Sequence, residues 1–317
     1  MKRKNNLYEN MYNLENIEKV FREVCQNTSN KAKVQRFKAY KTINITKIHD
    51  ILEKRAYKPG PYNRFTIYEP KKREIVSQNM FDKAINHLVS RHILMPALLP
   101  SLIDQNVASR PEMGTKDGIM YFQKYKRICN TKYKNYYLLK CDISKYFSSI
   151  DHDILKEKLK KKIKDKDALK IVFDIIDSEP KGLGIGNMTS QILAIFYLSD
   201  LDHFIKEKLK IKYYIRYQDD FLLFHESKEY LNYCLEEIRK FVEKERLKLN
   251  PKTRIYKNTN HFLFLGRKFN GRYGRYKTIR KKIRRRKYSF DNGRINLSEM
   301  CGSIVCYNTL DKKKKYG

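Results

Sequence analysis

Tryptophan is absent from this 317-residue chain, and so is any run of 18 apolar residues. The second absence excludes a conventional membrane-spanning helix. The basic start Met1-Lys2-Arg3-Lys4 leads into polar Asn5-Asn6, where a secretory signal would place an apolar stretch. We therefore expect a soluble, cytoplasmic protein with no membrane partner. The six cysteines, at 25, 129, 141, 234, 301 and 306, include no Cys-x-x-Cys pair. That argues against a zinc site or a disulfide framework and for reduced, mostly buried thiols. No internal repeat is present. Acidic residues are scarce, with 35 Asp and Glu against 69 Lys and Arg, a formal net charge of +34. Such an excess resists compaction unless a polyanion neutralises it. Nucleic acid is the natural partner, because each neutralised phosphate releases counterions and adds affinity. The 24 Tyr and 16 Phe suit base and sugar stacking, although any single one is more simply core.

The chain is long enough for two or three subdomains. Leu14, Ile17, Val20, Phe21 and Val24 are spaced for one helix face. Lys58-Pro59-Gly60-Pro61 breaks the chain, and Arg64–Val76 reads as two strands joined around Glu69-Pro70-Lys71. Residues 79–103 read as helical, interrupted at Pro96 and Pro100. A buried strand runs from Tyr136 to Ile143, followed by a helix from about Asp151 with Leu155, Leu159 and Ile163 on its apolar face. The Gly-rich loop Lys181–Asn187 leads into a long helix from Thr189. A helix across Glu229–Lys244 and a strand pair around Ile255 and Phe262–Phe269 follow. From Gly266 onward, 17 Lys and Arg face 3 Asp and Glu. Strands and helices alternate without a regular βαβ period, which argues for an α+β fold.

The most informative stretch is Tyr213–Phe224, Tyr-Tyr-Ile-Arg-Tyr-Gln-Asp-Asp-Phe-Leu-Leu-Phe. Two aromatic and β-branched runs flank Gln218-Asp219-Asp220, which reads as a hairpin tip. Aspartate also suits an ordinary turn, and Asp142 suits a strand end. If strand and hairpin join one sheet, the three carboxylates converge. That is the ligand set for two Mg²⁺ ions roughly 4 Å apart in phosphoryl transfer. The loop at Gly182–Gly186 is no P-loop, since no Gly-Lys-Ser/Thr follows it.

The order is basic hairpin, Asp-x-x-x-x-Phe, Gly-rich loop and helix, Tyr-x-Asp-Asp hairpin, then Lys-Thr and Phe-Leu-Gly. From about Arg64 to Phe269 it resembles the reverse transcriptase family. The resemblance implies a right-hand polymerase, an α+β fold with fingers, a palm with an antiparallel sheet, and a short basic helical thumb. The expected division is a helical extension over 1–60, fingers over 61–135, palm over 136–265 with a fingers insertion at about 151–185, and thumb and tail over 266–317. It implies metal ligation by Asp142, Asp219, Asp220 and the Ile143 backbone carbonyl, with two Mg²⁺ ions or Mn²⁺ in their place. Phe147 falls where the family keeps a steric gate against ribonucleotides. Lys71 or Lys72 together with Arg73, and also Ile185, Gly186, Gln191 and Lys252, fall at the nucleotide. Tyr217, Gln218, Phe264, Leu265 and Gly266 fall at the primer end and the nascent base pair.

Ile185 stands where many members have glutamine, and Ile-Gly-Asn-Met-Thr-Ser-Gln is similar to the reverse transcriptases of diversity-generating retroelements. Related phage-defence enzymes share these motifs. The implied activity is RNA-directed DNA synthesis from a DNA or RNA primer with dNTPs on an RNA template. A structured non-coding RNA, a small basic accessory protein or a second reverse transcriptase are the further partners implied. Two rivals stand beside the retroelement: a defence enzyme making DNA on a non-coding RNA or without a template, and a non-catalytic RNA-binding protein.

Overall fold

Apolar residues at helical spacing organise the charged N-terminal sixty residues into four helices, α1 (Leu7–Met11), α2 (Leu14–Asn27), α3 (Lys31–Ala39) and α4 (Lys41–Glu53). The structure is a computed structural model that describes residues 3–68, 72–269 and 279–305. Of the predicted apolar face of α2, all but Leu14 is buried. Asn13 starts that helix by accepting the Glu15 amide, and Phe21 stacks on Phe37 with centroids 4.6 Å apart.

Strands β1 (Asn63–Ile67) and β2 (Arg73–Ser77) pair antiparallel, and residues 69–71 between them lie outside the described residues. Helix α5 (Met80–Leu88) runs into a π-helical segment, Val89–Leu94, and then α6 (Met95–Leu98). Pro96 lacks the N–H that would continue the α-ladder. Just before it the ladder widens, and the Met95 N–H reaches back to the Ser90 carbonyl. Helix α7 (Thr115–Lys132) precedes β3 (Tyr137–Cys141), and α8 (Tyr146–Ser149), α9 (His152–Lys160) and α10 (Lys166–Asp177) follow it.

The long helix expected from Thr189 is instead interrupted. It divides into α11 (Met188–Tyr197), α12 (Ser199–His203) and a second π-helical segment, Phe204–Lys208. Two side chains take carbonyls at the first break: Arg216 donates to Ile195 O at 2.8 Å, and Lys158 to Tyr197 O at 2.9 Å. Next come β4 (Tyr213–Tyr217), β5 (Asp220–His225) and α13 (Lys228–Lys244). Then follow β6 (Arg254–Lys257), β7 (Phe262–Phe264), β8 (Arg267–Phe269) and α14 (Ile279–Asp291), and residues 297–305 are helical as well. Residues 255 and 262–269 do not pair with each other. β6 joins β3, whereas β7 and β8 fold back tightly through Leu265 and Gly266, both at positive φ.

The central sheet has the order β4-β5-β3-β6, antiparallel throughout. Strands β3, β4 and β5 are largely apolar on both faces because both faces are covered, whereas edge strand β6 is exposed at both ends. Leu139, Cys141, Tyr214, Phe221 and Leu223 enter the main core with α11 and α13. The alternate residues Leu138, Tyr213, Ile215, Leu222 and Phe224 pack with Phe122, Tyr125 and Cys129 of α7.

Contacts divide the chain into two units, Met1–Pro61 with Gln78–Asn270, and Tyr62–Ser77 with Gly271–Gly317. Within the second, Lys72 lies 3.5 Å from Glu299 and 5.7 Å from the Tyr68 ring centroid.

Candidate active site

Antiparallel pairing sets Cys141 opposite Phe221, so one further step along that register faces Asp142 toward Asp220. The β4–β5 connection is only Gln218-Asp219, between Tyr217 and its partner Asp220. A turn this short demands unusual backbone, and Gln218 sits at φ +56°. For a residue other than glycine that conformation is costly, and the surroundings must enforce it.

Arg216 does so from beneath. Its side chain is fully buried and donates to Gln218 O at 2.8 Å, to Ile195 O at 2.8 Å and to both Asp202 oxygens at 2.7 and 2.6 Å. Asp202 is itself fully buried and also accepts from the Tyr214 hydroxyl at 2.7 Å. Burial opposes the Arg216 charge. The Asp202 carboxylate overrides that cost and holds the guanidinium pKa above its ordinary value.

The three aspartates do not share one fate. Asp219 is pushed up to about 6, first by burial and then by the Asp142 charge, and it hydrogen-bonds with Asp142. Asp142 also accepts from Asn250 Nδ2 at 2.7 Å, and its backbone carbonyl accepts the Asn250 N–H at 2.7 Å. Asp220 is instead engaged by Lys140, whose ammonium also lies over the Phe264 ring, 5.9 Å from its centroid. Asp142 and Asp219 therefore face each other through a hydrogen bond, while a lysine neutralises the third aspartate. Paired oxygen donors that repel one another suit a hard divalent cation. Among the described residues, the one close cluster of three metal-type ligands is His49, Asp50 and Glu53 on α4, a half-buried histidine and two exposed acids.

Further predicted residues have partners that local spacing does not reveal, and Asn250 ties one of them to Asp142. Asn250 bridges Asp142 and the Lys252 turn, because its Oδ1 accepts the Lys252 N–H at 3.0 Å. Ser109 joins two glutamines, accepting from Gln218 Nε2 at 2.8 Å and donating to Gln191 Oε1 at 3.2 Å. The Gln218 Oε1 is buried and has no hydrogen-bond partner among the described residues. The Tyr217 hydroxyl accepts from Thr115 at 3.4 Å. Leu265 lies over Gly118 of α7, where an added Cβ would come within 2.6 Å of it.

Phe147 is half-buried and meets Tyr146 edge-on at 5.9 Å. The Gly-rich loop is clamped to its backbone, with Leu183 N–H donating to Phe147 O at 2.8 Å. Gly182 sits at φ +68°, and a Cβ there would fall 2.4 Å from that carbonyl. Only glycine satisfies both conditions. Further along the loop, Ile185 is half-buried and Gly186 exposed, while Ile143 is buried opposite Leu249. Lys72 and Arg73 are exposed and belong to the second unit, whereas Lys71 lies outside the described residues.

The sequence profile of the reverse transcriptase (RNA-dependent DNA polymerase) family matches residues 58–269, more than half of the chain. The chain belongs to the reverse transcriptase family. Its members are nucleotidyltransferases that work with divalent metal ions. Among solved structures, it is similar to telomerase from Candida albicans in complex with a fragment of telomeric RNA. That match has a TM-score of 0.51 and 12% identity, over 81% of this chain and 54% of that one. A second similar structure is apo telomerase from Candida tropicalis, truncated of its C-terminal domain, with a TM-score of 0.51 and 16% identity over 68% and 53% of the two chains. Both carry the right-hand polymerase fold, and this reverse transcriptase shares it. The chain spans about half the length of these telomerases. Among curated proteins, none matches it in sequence. No helix among the described residues is long and apolar enough to cross a membrane.

Proposed function

We propose that this reverse transcriptase extends a DNA or RNA primer with dNTPs on an RNA template, using Asp142 and Asp219 as its principal metal ligands. The observation that carries this reading is the facing pair Asp142 and Asp219, with the Asp219 carboxyl pushed up to about 6. The primer 3′-oxygen forms a bond to the dNTP α-phosphorus as the bond from that phosphorus to the β-phosphate bridging oxygen breaks. Pyrophosphate leaves, and the hydroxyl proton passes to water. Two Mg²⁺ ions, or Mn²⁺, held by Asp142, Asp219, Asp220 and the Ile143 carbonyl would supply charge neutralisation for both oxygens.

The protein's own part is positioning. Arg216 fixes the tip that carries Asp219, and Asn250 orients Asp142. Lys140 holds Asp220 in place, and the clamped loop sets the Phe147 ring against the nucleotide sugar. We assign the central sheet to the palm, the β1–β2 hairpin with Lys71, Lys72 and Arg73 to the fingers, and the basic segment beyond Gly266 to the thumb.

Asp219→Asn should remove dNTP incorporation on a primed RNA template, and Phe147→Val should admit ribonucleotides. Incorporation that survives the first change would refute the assigned site. For biological setting we favour a cytoplasmic diversity-generating retroelement, on the strength of Ile185-Gly186 and Thr189-Ser190-Gln191. Paired template and variable repeats beside the gene would support it. A non-coding RNA within a phage-defence island would favour the defence reading instead.

A further inference from the structure

Residues 103–110 line the outer edge of β4 without forming a strand of their own. The Val107 N–H donates to Arg216 O at 3.1 Å, and the Arg216 N–H donates to Gln105 O at 3.0 Å. Arg110 braces the segment by donating to the carbonyls of Ile103 and Asn106 at 2.8 and 3.2 Å. Asn106 is fully buried, and its Nδ2 reaches Ile195 O at 3.4 Å and Asp202 Oδ2 at 3.5 Å. Ser109 therefore stands on the same buried frame that supports the hairpin tip.

Ser109 and Gln218 both adopt left-handed backbone, at φ +51° and +56°. That conformation costs a residue with a Cβ, and the surroundings must impose it. The two strained residues are joined to each other, since Gln218 Nε2 donates to Ser109 Oγ at 2.8 Å. The tip is thus held twice: Arg216 takes the Gln218 carbonyl, and Ser109 takes its side chain.

A hydroxyl has one proton to give. Ser109 gives it to Gln191 Oε1 at 3.2 Å, so toward Gln218 it acts only as an acceptor. This polarity turns the Gln218 amide nitrogen to Ser109 and leaves its Oε1 buried without a donor among the described residues. An unsatisfied buried acceptor is costly. Gln191 is exposed on the wall of a hollow of about 550 Å³ that Ser109 and Arg110 also line. Once Gln191 Oε1 finds another donor there, the Ser109 proton is free for Gln218 Oε1, and the Gln218 amide gains by turning over.

We propose that Ser109 is a positioning residue. Through Gln218 it holds the tip that carries Asp219, and through Gln191 it makes that hold depend on what the exposed amide meets. The effect on DNA synthesis rests on the polymerase reading, whereas the hold on the tip rests on the relay of hydrogen bonds alone.

Ser109→Gly removes the hydroxyl at a position whose backbone glycine adopts freely. Its melting temperature should equal or exceed that of the wild type, whereas a serine with a merely structural role would lower it when lost. The single-turnover rate of dNTP incorporation on a primed RNA template should fall about fivefold, the worth of one hydrogen bond, while the dNTP Kd holds. Mn²⁺ binding without substrate, read by electron paramagnetic resonance, should weaken by a similar factor. In a Gln218→Met background the same change should alter neither quantity, because the partner is gone. Gln191→Ala should lower discrimination against mispaired dNTPs, and should lower it no further in Ser109→Gly. A Ser109→Gly protein with the rate and Mn²⁺ affinity of the wild type would overturn the role of Ser109. So would an undiminished effect in the Gln218→Met background, or a Gln191→Ala effect that persists without the hydroxyl. A wild type whose Mn²⁺ binding depends on Ser109 but which incorporates no dNTP would sink the polymerase reading and leave the relay standing.

Discussion

Replacing Arg216 by methionine keeps the length of the side chain and removes its charge and its donors. Asp202 would then be a fully buried carboxylate without its cation, and the carbonyls of Ile195 and Gln218 would each lose a donor. Breaking one side of a buried pair costs about 3–5 kcal/mol, mostly because the surviving charge is stranded. Whole-protein stability is only about 5–15 kcal/mol, so a substantial part of it is at stake. With a urea m-value of about 3 kcal/mol/M, a loss of about 4 kcal/mol lowers the unfolding midpoint by about 1.3 M. Turnover should fall as well, because Gln218 would no longer be held at φ +56° and Asp219 would lose its position.

The double variant Arg216→Met/Asp202→Leu separates the two effects. It leaves no stranded charge, so much of the stability should return, with the Tyr214 hydroxyl and the freed carbonyls accounting for the remainder. The tip stays unanchored, and turnover should stay low. Urea titration and single-turnover incorporation measure the two separately. A single variant within about 1 kcal/mol of wild type, or a double variant that regains turnover, would refute the role given to Arg216.

Three further predictions concern the same site. The Asp219 pKa is raised from 3.8 to about 6 in the folded protein. The stability linked to this group is therefore present below the unfolded value and is lost as pH rises through the folded one, about 3 kcal/mol in all by pH 7.5. In metal-free buffer at that pH, Asp219→Asn should be the more stable protein, and the gap should shrink toward pH 4; a gap that does not change with pH rejects the assignment. Gly182→Ala should cost about 2 kcal/mol and lower the melting temperature by roughly 5 °C, since it adds strain at φ +68° and a clash with Phe147 O. Scanning fluorimetry and the dNTP-to-rNTP incorporation ratio would check it, and both should move together. Ile185→Gln supplies a hydrogen-bond donor where isoleucine has none. Misincorporation should decrease, and unchanged fidelity would remove Ile185 from the nucleotide site.

The legible parts were those whose signal is local. The hairpin around Gln218–Asp220 and the strand read over Tyr136–Ile143 announce themselves through short apolar runs bounded by turn residues, and both formed, the strand over the shorter span Tyr137–Cys141. Glycine at position 182 is likewise written into the chain, although its reason, the Phe147 carbonyl lying against it, needed coordinates. The supports of the site were hidden for a different reason. Lys140 meets Asp220 across 80 residues, Asn250 meets Asp142 across 108, and Gln218 meets Ser109 across 109. No spacing rule spans such distances. Asn250 carried a weak hint in Asn-Pro, but Ser109 carried none. The break at Tyr197–Leu198 was unreadable because its cause is remote: Arg216 and Lys158 reach in from other elements to claim helix carbonyls. In β7–β8, a leucine at positive φ masked a two-residue turn that glycine alone only half announced.

The two-sided burial of the central sheet constrains how this protein can vary. Odd positions of β3 and β5 belong to one core and even positions to the other. Deleting or inserting a single residue within either strand would turn every side chain beyond it to the opposite face. Phe221 and Phe224 would have to exchange cores, and the carboxylates would swing away with them. Length can change between β3 and β4, where loops and helices absorb it, but not inside the strands. Counting the residues from the aspartates into each core thus provides a parity test for proposing that a divergent relative builds the same site.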